Sequence, residues 1–274
     1  MYVSVAVMDT GIFRHMDFDT RIAGFVDFVG RKKYLYDDNG HGTHVAGIIA
    51  GSGKGSNGKY RGIAPDTFLV SVKVLDKSGN GKIENVVEAA GWIIENKSAM
   101  NIRVVNISFG TRAKMENGPA IETGEDDYAL IMAVEKMWDS GIVVVAAAGN
   151  NGPGNTSVTA PGISKKIITV GAFDDKNFFS GRGPTRECIV KPEVVVTGSN
   201  IIACNNHQGR YSSKSGTSMA APVVSGAVAR LIKNNPDITP KEVKIWMKSC
   251  CKKINVPSEK QGWGVLDIRK FVTG

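Results

Sequence analysis

The chain has 274 residues, a formal net charge of +8, 42% hydrophobic residues and 22% charged residues. These proportions are typical of a folded globular protein and exclude a disordered or fibrous chain. No stretch approaches the roughly 18 uninterrupted apolar residues of a membrane-spanning helix, so we expect no transmembrane segment. The length suits one domain with a substantial core, and we predict a single domain over residues 1–274.

Strand-like and helix-like segments alternate along the chain. Runs rich in β-branched residues predict strands from Val3 to Met8, Leu69 to Val74, Val104 to Ser108, Ile142 to Ala147 and Ile167 to Val170. Helical patterns extend from Ile83 to Asn96, Tyr128 to Ser140, Ser218 to Lys233 and Pro240 to Cys250. This order predicts an α/β fold with a mainly parallel central sheet and helices on both faces. Functional groups then belong beyond the carboxyl ends of the strands.

Two early segments carry groups that can support acid–base chemistry. Asp9 stands at the end of the first predicted strand, and His41 lies between two glycines before an apolar helical stretch. Taken alone, each has an ordinary interpretation, because an Asp at a strand end usually caps a turn and a His at a helix start is mostly structural. Together they could form a base, since histidine titrates near neutral pH and a buried carboxylate can fix its tautomer.

A third segment supplies a candidate nucleophile. Ser218 lies between Gly216 and Pro222, just before a long apolar run. Small neighbours leave its hydroxyl uncrowded, and a helix N-terminus favours negative charge developing beside it. The ordinary interpretation is an N-cap serine. Serine becomes an effective nucleophile only when a base takes its proton, so the three segments together indicate an enzyme.

These segments resemble the three signatures of the subtilisin-like serine proteases (subtilases), in the same chain order. The resemblance lies in Asp9 to Gly11, His41 to Gly47 and Gly216 to Ala220, and it extends over nearly the whole chain. From Gly30 to His41 the chain is most similar to intracellular bacterial subtilases. The resemblance implies a serine endopeptidase with a subtilisin-like three-layer architecture, in which Asp9 orients His41 and His41 activates Ser218.

The family likeness also implies an oxyanion hole. Asn150 follows an apolar strand, and its side chain is implied to stabilise the tetrahedral intermediate together with the Ser218 backbone N–H. Without the resemblance, Asn150 to Gly154 is simply a turn, because Asn and Gly tolerate positive φ. Both interpretations can hold, since a turn can aim a side chain.

Substrate-binding residues are implied in the same way. The edge Gly79, Asn80 and Gly81 resembles one that pairs with an extended peptide. Two segments resemble the walls of the pocket for the side chain before the cleaved bond, namely Ser108, Phe109, Gly110, Ala147, Ala148 and Gly149. Thr159 falls at the pocket floor, where many secreted members carry glycine, and would make the pocket shallower. The alternative for Thr159 is a solvated loop residue.

Charged clusters have alternative interpretations. The default interpretation of one acidic region is a solvated loop, and the alternative is that it favours basic substrate residues; the region comprises Glu116, Glu122, Glu125, Asp126 and Asp127. A stripe at helical spacing comprises Lys241, Lys244, Lys248 and Lys252. Such a stripe could attract nucleic acid or an anionic surface. A solvated helix face is preferred because no nucleic-acid module accompanies it, so we expect neither nucleic-acid nor membrane partners.

Cofactors and location follow from simpler observations. The chemistry requires no cofactor or catalytic metal; family members often bind calcium, for which Asp37, Asp38 and Asn39 or Asp174 and Asp175 are compositional candidates, left unassigned. Four cysteines, two of them adjacent, indicate reduced thiols in a cytosolic protein. We expect a cytoplasmic protein if Met1 is the native start, or alternatively a secreted mature form after removal of an N-terminal segment.

Partners follow from the implied activity. We expect protein or peptide substrates, and an inhibitory propeptide is a further candidate partner, although none is visible in this chain. An alternative function is that of a folded subtilase relic that binds peptides or another protein without cutting them. The intact Asp9, His41, Ser218 and Asn150 positions argue against that alternative.

Overall fold

The computed structural model describes residues 2–111 and 124–274. Within these ranges the main sheet has nine strands: β1 (Ser4–Asp9), β2 (Ile22–Asp27), β3 (Phe68–Lys73), β4 (Ile102–Ile107), β5 (Val143–Ala147), β6 (Ile168–Ala172), β7 (Val194–Val196), β10 (Cys251–Lys252) and β11 (Val265–Leu266). Their order across the sheet is β10-β11-β7-β6-β5-β4-β1-β3-β2. All neighbouring pairs are parallel except β10 with β11. A separate antiparallel hairpin joins β8 (Ile201–Cys204) to β9 (Tyr211–Lys214).

Helices cover both faces of the sheet. They are α1 (His41–Ala50), α2 (Ile83–Asn96), α3 (Glu125–Asp139), α4 (Thr217–Asn234), α5 (Pro240–Ser249), α6 (Ser258–Gln261) and α7 (Ile268–Val272). A hydrophobic core lies on each face of the sheet. Side chains of β1 enter these two cores alternately, because successive strand residues point to opposite faces. Val5 and Val7 pack with α1 and α4, whereas Ala6 and Met8 pack with α2 and α3. The predicted three-layer α/β architecture is confirmed.

The alternation of β1 decides where its last residue points. Asp9 lies two residues after Val7 and therefore belongs to the face covered by α1 and α4. Helix α4 is buried nearly all round and packs against β4, β5 and β6 as well as α1. A helix fixed on all sides is a rigid support for the residues at its N-terminus.

Most predicted elements are confirmed within a few residues. The predicted helix from Ile83 to Asn96 matches α2, whereas α3 begins at Glu125 rather than at Tyr128. Glu125, Asp126 and Asp127 form the first turn of α3, where acidic side chains complement the helix dipole, so their prediction as an acidic loop was wrong. Glu116 and Glu122 lie outside the described residues.

Two further expectations have clear outcomes. The lysine face of α5 is not fully solvated, because Lys244 Nζ lies 2.9 Å from Glu193 Oε1 and also donates to the carbonyls of residues 165–167. The cysteines are all free thiols, at Cys188, Cys204, Cys250 and Cys251. Across the two described ranges, no helix has both the length and the apolar character that crossing a bilayer requires.

Candidate active site

Asp9 and His41 form a close pair at the carboxyl edge of the sheet. His41 Nδ1 lies 2.8 Å from Asp9 Oδ1 and 2.9 Å from Asp9 Oδ2. Asp9 ends β1 and is fully buried, whereas His41 begins α1 and its side chain is 25% exposed. A carboxylate at Nδ1 favours the tautomer that carries its proton there, so the other ring nitrogen, Nε2, can accept a proton. The predicted acid–imidazole contact is therefore present.

The electrostatics of His41 reflect this pairing. Burial lowers the pKa of His41, but the charge of Asp9 and its hydrogen bond raise it. The net pKa of His41 is raised above the ordinary histidine value of 6.5. Asp9 thus stabilises the protonated, imidazolium form of His41.

The turn before His41 is fixed by a network that the sequence did not predict. Asp37 Oδ1 accepts hydrogen bonds from Thr10 Oγ1 at 2.9 Å and from the Gly40 N–H at 2.8 Å. Its other oxygen accepts from the Thr43 N–H at 2.9 Å, and Thr10 Oγ1 accepts from the N–H of residue 42. Asp37 therefore joins the turn after Asp9 to the start of α1. Both of its carboxylate oxygens accept hydrogen bonds from the protein, although local composition had made it a candidate calcium ligand.

A buried cation lies beside this network. Lys73 is 1% exposed and is the register partner of Asp9 on the neighbouring strand β3. Its Nζ donates to the Thr10 carbonyl at 2.6 Å, to the Leu75 carbonyl at 2.9 Å and to Asp38 Oδ1 at 2.7 Å. Lys73 thus connects three segments: the turn after Asp9, the loop before His41 and the segment that leads to Gly79.

Ser218 is the second residue of α4 and lies at the same edge of the sheet. Its Oγ donates to the carbonyl of Ser108 at 2.7 Å. Met8 of β1 pairs with Ile107 of β4, so Asp9 and Ser108 follow paired residues on strands that lie about 4.8 Å apart. The strand ends thus bring the Asp9–His41 pair and Ser218 to one edge, although within residues 2–111 and 124–274 no hydrogen bond joins Ser218 to His41.

Asn150 lies three residues after β5, and its amide orientation is fixed by Thr217. Asn150 Oδ1 accepts from both the N–H and the Oγ1 of Thr217, each at 3.0 Å. The Nδ2 donor of Asn150 therefore points away from Thr217 and lies beside Gly216. A Cβ added to Gly216 would lie 3.3 Å from this nitrogen. Ser218 contributes an N–H in the first turn of α4, where no intrahelical acceptor exists. Sequence reasoning missed Thr217, whose only signal was its place between Gly216 and Ser218.

Several predicted substrate residues line one groove of about 1240 Å³. Those lining it are Gly79, Asn80, Gly81, Phe109, Gly110 and Thr159, together with Glu125 and Asp126 at the start of α3. Ser108, Ala147, Ala148 and Gly149 do not line this groove. Of these, Ser108 contacts Ser218, and the Ala148 carbonyl accepts from the Thr159 N–H at 3.2 Å. Thr159 is therefore hydrogen-bonded to the predicted wall that contains Ala148.

Thr159 fills the space between the two walls. It is 8% exposed, so the alternative of a solvated loop threonine was wrong. A Cβ added at Gly110 would lie 2.2 Å from Thr159 Oγ1, and one added at Gly149 would lie 2.6 Å from it. Only glycine fits at either position while Thr159 is present. Thr159 Oγ1 is buried and has no hydrogen-bond partner within the described part of the chain.

Some of the potential metal ligands already accept hydrogen bonds from the protein. One compact, buried group of nitrogen, oxygen and sulfur atoms consists of His15, Asp17 and Cys204. Asp17 already accepts hydrogen bonds from the N–H groups of Gly53 and Gly55 and from the hydroxyl of residue 211. Among the calcium candidates, Asp174 likewise accepts from the N–H of residue 198 at 2.8 Å. A structural calcium site therefore stays unassigned.

Comparison with known sequences finds one protein family. A model of the Subtilase family matches residues 2–264. The chain is 42% identical over 274 residues to the serine protease AprX of Bacillus subtilis (strain 168), covering 90% of this chain and 60% of that protein. It is 34% identical over 244 residues to subtilisin DY of Bacillus licheniformis, covering 88% of this chain and 81% of that protein. The chain thus spans less than two thirds of the length of AprX.

Solved structures agree with the sequence matches. A cold-adapted subtilisin-like serine proteinase superimposes with a TM-score of 0.76 at 30% identity, covering 96% of this chain and 86% of that one. Sphericase superimposes with a TM-score of 0.80 at 26% identity, covering 96% of this chain and 90% of that one. Because the family model matches residues 2–264 and these relatives share the fold, the chain belongs to the subtilase family.

Proposed function

We propose that the chain is a serine endopeptidase that cleaves peptide bonds through Asp9, His41 and Ser218. One observation carries the proposal: a buried carboxylate holds His41 by Nδ1, and a serine at the start of a buried helix lies at the same sheet edge. This arrangement leaves His41 Nε2 as the base for the Ser218 hydroxyl. Family membership supports the activity.

The first chemical step forms an acyl-enzyme. Ser218 Oγ attacks the substrate carbonyl carbon while His41 Nε2 takes its proton, and the developing imidazolium is stabilised by Asp9. The Ser218 hydroxyl, which donates to Ser108 in the free enzyme, must first turn toward His41. Catalytic hydrogen bonds often align only when substrate is bound, so the resting geometry is compatible with this step.

Two hydrogen-bond donors near Thr217 stabilise the oxyanion. Asn150 Nδ2 and the Ser218 backbone N–H donate to the oxygen that becomes negative in the tetrahedral intermediate. Thr217 holds the Asn150 amide so that its nitrogen, rather than its oxygen, is available. Removing the corresponding side-chain donor slows turnover roughly 10²–10³-fold in subtilisin, the case from which this magnitude is taken.

The remaining steps regenerate the enzyme. The intermediate collapses, the C–N bond breaks, and His41 gives its proton to the leaving amine. A water molecule then attacks the acyl carbon while His41 takes a proton from it. The second tetrahedral intermediate then collapses: the bond between the acyl carbon and Ser218 Oγ breaks, the new carboxyl group leaves, and His41 returns its proton to Ser218 Oγ.

The substrate is an extended segment of protein or peptide that lies along the groove. Gly79, Asn80 and Gly81 form an edge that can pair with a substrate backbone. Thr159 occupies space between Gly110 and Gly149, which favours small or medium side chains before the cleaved bond. Glu125 and Asp126 line the same groove and favour basic residues further along the substrate.

The same reasoning extends to location, metal and partners. A cytoplasmic location is supported by four free thiols, and fractionation of native cells would decide between it and a secreted form. Neither a cofactor nor a catalytic metal enters the proposed chemistry. An inhibitory propeptide is a candidate partner of the proposed cleft. A nucleic-acid role is disfavoured because Lys244, part of the lysine stripe, is already paired with Glu193.

Hydrolysis of a protein substrate by the wild type and by Ser218→Ala tests the proposal. We expect cleavage by the wild type and loss of nearly all cleavage in Ser218→Ala, whose thermal unfolding should be unchanged. Binding of peptide by the folded wild type without any cleavage would contradict the proposal and favour the peptide-binding relic.

A further inference from the structure

The carbonyl of Ser218 lacks its ordinary helical partner. In an α-helix the carbonyl of residue i accepts from the N–H of residue i+4. For Ser218 that residue is Pro222, which lies inside α4, is buried and has no N–H. A backbone carbonyl without a donor in such surroundings is costly, so a donor from another element is required.

Ser108 supplies the missing donor. Its Oγ donates to the Ser218 carbonyl at 2.9 Å. The same Oγ accepts from Asn106 Nδ2 at 2.9 Å, and Asn106 Oδ1 accepts from Ser225 Oγ at 2.8 Å. Asn106 and Ser225 are fully buried, and Ser108 is 2% exposed. Three buried side chains thus form one hydrogen-bond chain that ends on the backbone of Ser218.

The chain of hydrogen bonds begins and ends on the same helix. Ser225 lies seven residues after Ser218, which places it on the same face of α4, about 10 Å further along the axis. Asn106 and Ser108 bridge this distance from the end of β4. Every donor points toward the Ser218 carbonyl, and aligned hydrogen bonds strengthen one another in a buried environment.

We propose that Ser225, Asn106 and Ser108 are positioning residues for Ser218, replacing the helical hydrogen bond that Pro222 removes. The proposal rests on the proposed function, because it concerns how the nucleophile of that reaction is held. Fixing the Ser218 carbonyl fixes the backbone on which the Ser218 N–H and side chain are mounted. The chain of hydrogen bonds therefore sets the aim of both the nucleophile and one oxyanion donor.

Ser225→Ala tests this assignment, with Ser71→Ala as its matched control. Ser71 is also a fully buried serine, on β3, but its Oγ has no hydrogen-bond partner within the described residues. We expect Ser225→Ala to lower kcat about 3- to 10-fold, the effect of one buried hydrogen bond. KM should change less than about twofold because the groove is untouched. Ser71→Ala should leave kcat unchanged, and thermal unfolding of both variants should be compared.

A double-mutant cycle separates the hydrogen-bond chain from packing. In an Asn106→Ala background, Ser225→Ala should have no further effect on kcat, because the hydrogen-bond chain through which Ser225 acts on Ser218 is already broken. Ser108→Ala, which removes the last donor, provides a second variant if Ser225→Ala fails to fold, and it should also lower kcat.

The outcomes distinguish this proposal from the proposed function. Wild-type protein that neither cleaves peptides nor reacts at Ser218 would overturn the proposed function itself. An active wild type in which Ser225→Ala or Ser108→Ala retains full kcat would overturn only the positioning role. Additive effects of Ser225→Ala and Asn106→Ala would overturn it as well.

Discussion

Ser108 and Ser218 exchange hydrogen bonds: Ser218 Oγ donates to the Ser108 carbonyl at 2.7 Å, and Ser108 Oγ donates to the Ser218 carbonyl at 2.9 Å. This reciprocal contact joins the end of β4 to the start of α4. In the free protein it directs the Ser218 hydroxyl to a carbonyl rather than to His41. In the proposed reaction, attack on a substrate therefore begins with a rotation of the Ser218 side chain.

The first prediction concerns pH. In the proposed mechanism neutral His41 is the base, so kcat/KM should fall as the pH drops through the pKa of His41. Asp9 raises that pKa despite the opposing effect of burial, so the midpoint should lie above 6.5. Initial rates on a peptide substrate between pH 5 and 9 would measure it. A flat profile across this range would remove His41 as the base.

A second prediction concerns the acid. Asp9→Asn should keep the shape of the side chain but favour the wrong tautomer of His41. We expect turnover at neutral pH to fall about 10⁴-fold, as in a trypsin-like enzyme with the same change. Asp19→Asn, an exposed carboxylate outside the site, is the control and should retain full activity. Equal rates for the two variants would contradict the role of Asp9.

The oxyanion donors give a third prediction. Asn150→Ala should lower kcat roughly 10²–10³-fold with little change in KM. Thr217→Ala keeps the Asn150 donor and the backbone N–H contact to Asn150 Oδ1 but removes the hydroxyl contact, so a smaller loss of roughly 5- to 10-fold is expected. Thr217→Ser retains the hydroxyl that holds Asn150 and should restore most of the rate. If Thr217→Ser is as slow as Thr217→Ala, the orienting hydrogen bond is not the cause.

Side-chain preference provides a fourth prediction. Thr159→Gly would empty the space between Gly110 and Gly149 and deepen the pocket. The ratio of kcat/KM for substrates with Phe to those with Ala before the cleaved bond should rise by about tenfold or more. Thr156→Gly, which changes another threonine lining the same groove, is the control and should leave the ratio unchanged. An unaltered ratio in Thr159→Gly would place the pocket floor elsewhere.

Stability gives a fifth prediction. Lys73→Met would leave the carbonyls of Thr10 and Leu75 without their buried donor. We expect the free energy of unfolding to fall by about 2–4 kcal/mol, measured by denaturant titration. Lys77→Met removes an exposed lysine nearby and should change stability by less than about 0.5 kcal/mol. Matching midpoints for the two variants would show that the Lys73 contacts are not stabilising.

The sequence alone predicted the elements that carry the candidate site. Asp9, His41, Ser218 and Asn150 each stand at the end of a strand or the start of a helix, and long apolar runs mark those elements. Strand β2 was missed because Gly24 interrupts its apolar pattern at the edge of the sheet. Strands of two or three residues leave no detectable period.

The side chains that position the site could not be predicted in this way. Lys73 looks like an outward-facing strand lysine, and its burial depends on carbonyls from distant segments. Asn106 and Ser225 are 119 residues apart, so no local sequence pattern predicts their hydrogen bond. Thr217 acts through Asn150, 67 residues away. Such contacts depend on tertiary packing, which a local pattern does not encode.

Labelling with a fluorophosphonate probe tests the central claim most directly. The wild-type chain should gain one probe molecule, mapped to Ser218 by mass spectrometry, and the reaction should slow sharply in His41→Ala and vanish in Ser218→Ala. Folded wild-type protein that resists the probe, or Ser218→Ala that is labelled as fast as the wild type, would contradict the assignment of Ser218 as a nucleophile activated by the Asp9–His41 pair.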